Sequence, residues 1–188
     1  MQKITLFFLA VMTAFIISSC KKTDDAAPAT VVGKWTLTGI TGITDLKTFD
    51  ATNDEIKKNS SGSSFDGLIF EFLSDGTFNS TDDKGMKDPE DSGKYVLSAD
   101  NKTITLTTNK DTFGQAYIYI FEISTLSNVA LKLSLPKLTK VNGKFIATNT
   151  SQALSNLYAQ LAIVGKGGTI ANDYNNAAMI QAVWNFKK

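Results

Sequence analysis

From Trp35 onward the chain is built of short runs in which apolar and polar residues alternate, separated by turn-forming residues. Period-two alternation puts every second side chain on one face, a pattern that a half-buried strand can use and a helix cannot. Residues 35–41 form the first run, with Trp35 and Leu37 on one face. Residues 65–73 form the second, with Leu68, Phe70 and Phe72 together. Asp75-Gly76 is a hairpin signal leading into 77–80, because both residues tolerate positive φ. Runs at 93–98 and 102–107 are joined by a turn at Asp100-Asn101.

Residues 115–126 are the longest and most aromatic run. Tyr117, Tyr119, Phe121 and Ile123 lie on one side, and Ile118, Ile120 and Glu122 on the other. Leu131, Leu133 and Leu135 mark a further strand, whose ladder Pro136 should interrupt. Asn142-Gly143 signals another hairpin, into 144–148.

The period then changes. Leu154, Leu157, Tyr158, Leu161 and Val164 recur at helical spacing, with Thr150 or Ser151 as cap and Gly165 as stop. Residues 179–186 return to a strand pattern. A sheet of this size leaves exposed edges unless it closes on itself. The predicted fold is therefore all-β: an antiparallel up-and-down barrel of about eight to ten strands, with one C-terminal α-helix before the last strand. The last strand, around Trp184, is expected to return to the first and form the seam. The polar connection 45–64 is long enough to read as a lid or a mobile segment. Within it Thr52-Asn53-Asp54-Glu55 fits a capping box and predicts a helical turn over 55–58.

Residues 1–19 have a basic start at Lys3 and an apolar run through Ile17. That run has the length of a signal-peptide core and is short for a bilayer span. Ile17-Ser18-Ser19-Cys20 resembles a bacterial lipobox, and Cys20 is the only cysteine. The resemblance implies acylation of Cys20 and a mature N-terminus there. Each buried CH₂ of an acyl chain contributes about 0.8 kcal/mol, so several chains give a stable membrane anchor. Residues 20–31 read as a flexible tether, and 32–188 as the folded domain. The expected location is the outer membrane, lipid-anchored, on the periplasmic face or the cell surface.

Composition narrows the chemistry. All 19 basic residues are lysines, and the chain has neither arginine nor histidine. The commonest general base near neutral pH is missing, and so is the guanidinium fork that holds phosphate or carboxylate. Without Lys3, 18 lysines face 18 acidic residues, so no basic footprint marks a nucleic-acid partner.

Gly33-Lys34-Trp35 heads the first strand and resembles the Gly-x-Trp of lipocalins. The runs 72–78, 93–98 and 102–106 are similar to bacterial lipocalin-like lipoproteins. The resemblance covers residues 31–135, and the helix and last strand only by architecture. It implies a calycin-type barrel of eight to ten strands, often with a small apolar cavity. Lipocalins also stack a late arginine on the motif tryptophan. Here a C-terminal lysine such as Lys187 is the candidate for that role.

An inward aromatic set, Phe70, Phe72, Tyr95, Tyr117, Tyr119 and Phe121, could line a pocket for a small hydrophobic or amphiphilic molecule. The same side chains could simply fill a small barrel. The rival function is a non-catalytic interaction or scaffold module that binds a protein or glycan through its loops. Asp82, Asp83, Asp88, Glu90 and Asp91 could offer oxygens to Ca²⁺, but their spacing does not match an EF-hand loop, and no metal or other cofactor is expected. Residues 165–169 have neither the spacing nor the preceding strand of a phosphate loop. Glu71 and Glu122 fall on the face opposite the aromatics, so no catalytic pair is expected. The domain is expected to be a non-enzymatic monomer.

Overall fold

The computed structural model describes residues 29–59, 68–82, 86 and 92–188. The leader, Cys20 and most of the tether lie outside the described residues, as do Asp83, Asp88, Glu90 and Asp91.

Eleven strands form one sheet: β1 (Gly33–Thr44), β2 (Thr48–Thr52), β3 (Ile69–Phe72), β4 (Thr77–Thr81), β5 (Gly93–Leu97), β6 (Thr103–Thr108), β7 (Ile118–Leu126), β8 (Ala130–Ser134), β9 (Leu138–Val141), β10 (Lys144–Phe145) and β11 (Met179–Lys187). Two helices, α1 (Asn53–Asn59) and α2 (Thr150–Gly165), and a π-helical turn at Ile170–Tyr174 complete it. Eight strands close a ring in the order β1-β3-β4-β5-β6-β7-β8-β11 and back to β1. Every pairing is antiparallel. This is the predicted all-β barrel, with α2 before the closing strand.

β1 and β11 form the seam, from Thr36 opposite Lys187 to Thr44 opposite Ile180. Each is long enough to take two partners on its other side. The start of β1 pairs with β3 and its second half with β2. The end of β11 pairs with β8 and its start with β9. A bulge between Leu37 and Gly39 re-phases β1. Before it Trp35 and Leu37 point inward; after it Ile40, Gly42 and Thr44 do. An extra residue shifts a strand's facing by one position, so plain alternation cannot hold along all of β1.

The connection 45–64 is not a lid in its described part. Residues 48–52 extend the sheet as β2, with Phe49 and Ala51 buried, and α1 follows at once. The capping box is formed: Glu55 Oε2 accepts from Thr52 N at 2.9 Å, and Thr52 Oγ1 accepts from Glu55 N at 3.3 Å. Ile56 is buried against Gly165 of α2.

α2 buries a different face from the predicted leucine stripe. Ser151, Ser155, Ala159 and Ala162 are buried, while Leu157 is 51% exposed. Small residues let the helix axis approach the sheet closely. A Cβ on Gly42 would lie 3.0 Å from both Ala159 O and Ala162 Cβ. Ser155 Oγ accepts from Ala182 N of β11 at 3.1 Å. Ser151 Oγ accepts from Ile120 N of β7 at 2.8 Å. The cap is Asn149, whose side chain accepts from Gln152 N at 2.9 Å. The positive φ beyond the helix belongs to Gly167, since Gly165 still lies inside it.

Two expectations follow. Gly42→Val should push α2 off the seam and lower stability by about 1–3 kcal/mol, the usual cost of overpacking; urea unfolding measures it, and an unchanged midpoint would refute the close packing.

Asp45 supplies the second. Its Oδ1 accepts from Ala178 N at 2.7 Å and Met179 N at 3.1 Å, tying β1's exit to β11's entry. The Met179 bond, helped by Ala178 and the charge of Lys140, holds this exposed carboxyl below its usual pKa. A depressed carboxylate pKa stabilises the fold above the unfolded value and loses that contribution as pH falls through the folded one. Asp45→Asn should therefore flatten the acid-side decline of the urea midpoint below about pH 5, leaving the part due to other carboxylates.

Candidate functional site

The barrel is filled at one end and hollow at the other. At the filled end Trp35, Phe72, Leu131 and Phe186 are fully or almost fully buried. Gly33, with φ +127°, holds a conformation in which a side chain would be strained. A Cβ there would come within 2.9 Å of Lys188 Cε. With no side chain in the way, Lys188 lies across Gly33 and places its Nζ 4.9 Å from the centroid of the Trp35 ring. The cation over the motif tryptophan is therefore Lys188, one residue beyond Lys187. The Trp35 indole donates to Val31 O at 2.6 Å, which satisfies its buried N–H.

At the other end a cavity of about 250 Å³ lies between the sheet and α2. Its walls carry six rings: Phe70 from β3, Phe78 from β4, Tyr119 and Phe121 from β7, Tyr158 from α2 and Trp184 from β11. Leu68, Leu106 and Leu154 add aliphatic surface. Ser80 and Thr108 add hydroxyls. None of the described lining residues is charged.

The rings are held by one another. Phe70 stacks on Phe186 at 5.6 Å and meets Phe78 edge-on at 5.8 Å. Trp184 meets Tyr158 edge-on at 4.9 Å and Phe121 at 5.2 Å. Side chains locked in this way make a preformed wall, which lowers the ordering cost of binding.

Two buried lining residues carry polar groups, one of them without a partner among the described residues. Ser80 is 4% exposed and points inward from β4, and its backbone N–H donates to Ser92 Oγ at 3.2 Å. Trp184 is also 4% exposed, and its indole N–H finds no acceptor. Thr108, by contrast, is used: its hydroxyl donates to Asn109 O and accepts from Tyr117 N.

The six aromatics singled out in the sequence separate into groups. Phe70, Tyr119 and Phe121 line the cavity. Phe72 and Tyr95 lie toward the filled end, ring to ring at 5.1 Å. The Tyr95 hydroxyl donates to Leu73 O at 2.8 Å, and partial burial, helped by Asp75, raises its pKa. Tyr117 precedes β7 and lines an outer groove instead. Leu68, Phe78, Ser80, Leu106, Thr108 and Trp184 line the cavity without being among the residues the sequence singles out for it. Each follows from strand alternation once the inward phase is known. Leu154 and Tyr158 belonged to the predicted helical stripe, and their role is to roof the cavity rather than to form the buried helix face.

The outer groove follows a break in the barrel wall. β8 pairs with β7 only from Glu122 onward. Along Ile118–Phe121 the ladder side facing away from β6 has no strand, and α2 supplies Ser151 there. Ile118 and Ile120 are 54% and 48% exposed. Glu71 and Glu122 both face outward. No cluster of three potential metal ligands occurs among the described residues. No described helix is long and apolar enough to cross a membrane.

No protein-family model, no curated protein and no solved structure matches this chain.

Proposed function

We propose that this chain is an envelope lipoprotein whose lipocalin-like barrel holds a small hydrophobic or amphiphilic molecule. The observation that carries the reading is the cavity: about 250 Å³, walled by mutually packed rings, with the hydroxyl-bearing Ser80 and Thr108 in its lining. A preformed apolar pocket with a few placed polar groups is the usual form of a small-molecule site. The Gly33-x-Trp35 start, the closed antiparallel ring and the cation on Trp35 support the lipocalin-like description. The lipobox-like Ile17-Ser18-Ser19-Cys20 supports a membrane tether on the outer membrane, from the periplasmic face or the cell surface.

Two experiments bear on this. Native purification followed by denaturation and mass spectrometry should release a small molecule in near-stoichiometric amount. Leu154→Trp, which puts an indole into the cavity from α2, should lower that yield about tenfold while the barrel still unfolds cooperatively. Equal yield from both proteins would place the molecule elsewhere. Separately, Cys20→Ser should abolish labelling by radioactive palmitate and shift the protein out of the membrane fraction. Persistent labelling would remove Cys20 from the anchor.

One observation favours the rival reading of an interaction module. The half-unpaired β7, with Ile118 and Ile120 outward, has the form of an edge that can accept an added strand. A protein with no releasable molecule whose β7 amides become protected in the presence of an extended peptide would support it over the carrier.

A further inference from the structure

We infer that the cavity selects a neutral, compact, ring-containing molecule of about ten non-hydrogen atoms bearing a hydroxyl or carbonyl group, and rejects long-chain fatty acids; the size rests on a dry cavity of about 150 Å³ holding benzene. The inference deepens the carrier reading and depends on it.

Size is the first ground. On the benzene scale, a cavity of about 250 Å³ has room for roughly ten heavy atoms. A sixteen-carbon chain would need about 400 Å³ on the same scale, so much of it would remain outside and gain nothing from burial.

Charge is the second. None of the described lining side chains is cationic. A carboxylate drawn into this site would lose its water with no partner in return, which strongly disfavours the ionised form.

Shape is the third. The walls are chiefly aromatic faces and edges, held in place by edge-on and stacked contacts. Such walls pack best on a flat ring, offset or edge-on.

The fourth ground is polar. Ser80 is a 4% exposed residue that faces inward from β4 and lines the cavity, so its hydroxyl can give a hydrogen bond to a ligand oxygen there or take one from it. The unpartnered indole N–H of Trp184, on the same wall, is a donor with no acceptor of its own. A neutral oxygen substituent suits the Ser80 hydroxyl. A bare hydrocarbon does not.

The test uses the purified barrel with its tether and three probes: 2-naphthol, naphthalene and hexadecanoate. The two indole N–H resonances provide the site readout. Trp184 lines the cavity, whereas Trp35 does not and has its N–H bonded to Val31 O. 2-Naphthol should shift the Trp184 resonance and leave that of Trp35 in place. Ser80→Ala should weaken 2-naphthol about three- to tenfold, the effect of one neutral hydrogen bond, and leave naphthalene within about twofold. Hexadecanoate should neither shift Trp184 nor displace 2-naphthol.

Hexadecanoate binding at Trp184 as tightly as 2-naphthol would overturn the ligand class and leave the carrier reading standing. Equal losses for naphthalene and 2-naphthol in Ser80→Ala would overturn the polar anchor, and with it the oxygen-bearing class. Failure of all three probes to shift Trp184 in protein stripped of any bound molecule would overturn the carrier reading as well.

Discussion

The pairing of β1 with β11 is the constraint on which the rest depends. It joins residues about 145 positions apart in the chain, as the bond from Thr38 Oγ1 to Asn185 O illustrates. Loop closure over such a span is slow to reward, so the seam is expected to form late and then to lock what came before. Once formed, it removes the two edges that an open meander would present to other chains. Both seam strands outrun their neighbours, and β2 and β9 occupy the extra length. The bulge at Leu37/Gly39 lets one strand serve both regions. Its first part aims Trp35 and Leu37 into the filled end, and its second part aims Ile40 and Gly42 at the helix.

α2 acts as a substitute for missing wall. It crosses the end of the barrel from β7 to β11 to β1, and its serines take over backbone donors that a strand would otherwise have engaged. Ser151 serves Ile120 and Ser155 serves Ala182. A buried amide without an acceptor costs on the order of 1–3 kcal/mol, so these two hydroxyls contribute more than their size suggests. The small buried face brings the helix close at the seam while Leu154 and Tyr158, on its flank, stand over the interior without filling it. The hollow is thus a product of the same packing that closes the barrel. A bulkier helix face would sit farther out and leave the seam amides unserved.

Much of this was legible because strand alternation is a local signal. The runs at 77–80, 93–98 and 102–107, the Asn142-Gly143 turn and the capping box at Thr52 follow from nearest neighbours alone, and they occur where local chemistry requires. Closure was legible from the count of strands and the fate of edges. What escaped has a common cause. β2 lies in a polar stretch, and its five-residue alternation with Phe49 and Ala51 inward is too short to stand out there without its partner β1. The helix was read by its large residues, whereas its contact is decided by its small ones, because close approach to Gly42 excludes bulk. The inward face was found, but not which of its aromatics fill and which line. That division depends on height along the barrel, which alternation does not encode. Phe70 and Phe72 are neighbours on one face of β3, yet only Phe70 reaches the cavity.

The tryptophan at the head of β1 is covered by a lysine ammonium. A cation over an indole is attracted by the ring's quadrupole, and either an ammonium or a guanidinium supplies that charge. A guanidinium is flat and can stack in a narrow space, whereas an ammonium sits on a flexible stem and must be brought within reach. Here the reach comes from Gly33: with no Cβ at that position, the Lys188 stem passes over the backbone and sets its charge on the ring. The glycine and the lysine therefore form one device. It caps the filled end from outside, while Val31 O takes the indole N–H from within. The two parts are joined through Phe70, which pairs with Trp35, stacks on Phe186 and also lines the cavity. The rings divide accordingly, with Trp35, Phe72 and Phe186 in the packed part and Phe70, Phe78, Tyr119, Phe121, Tyr158 and Trp184 around the hollow.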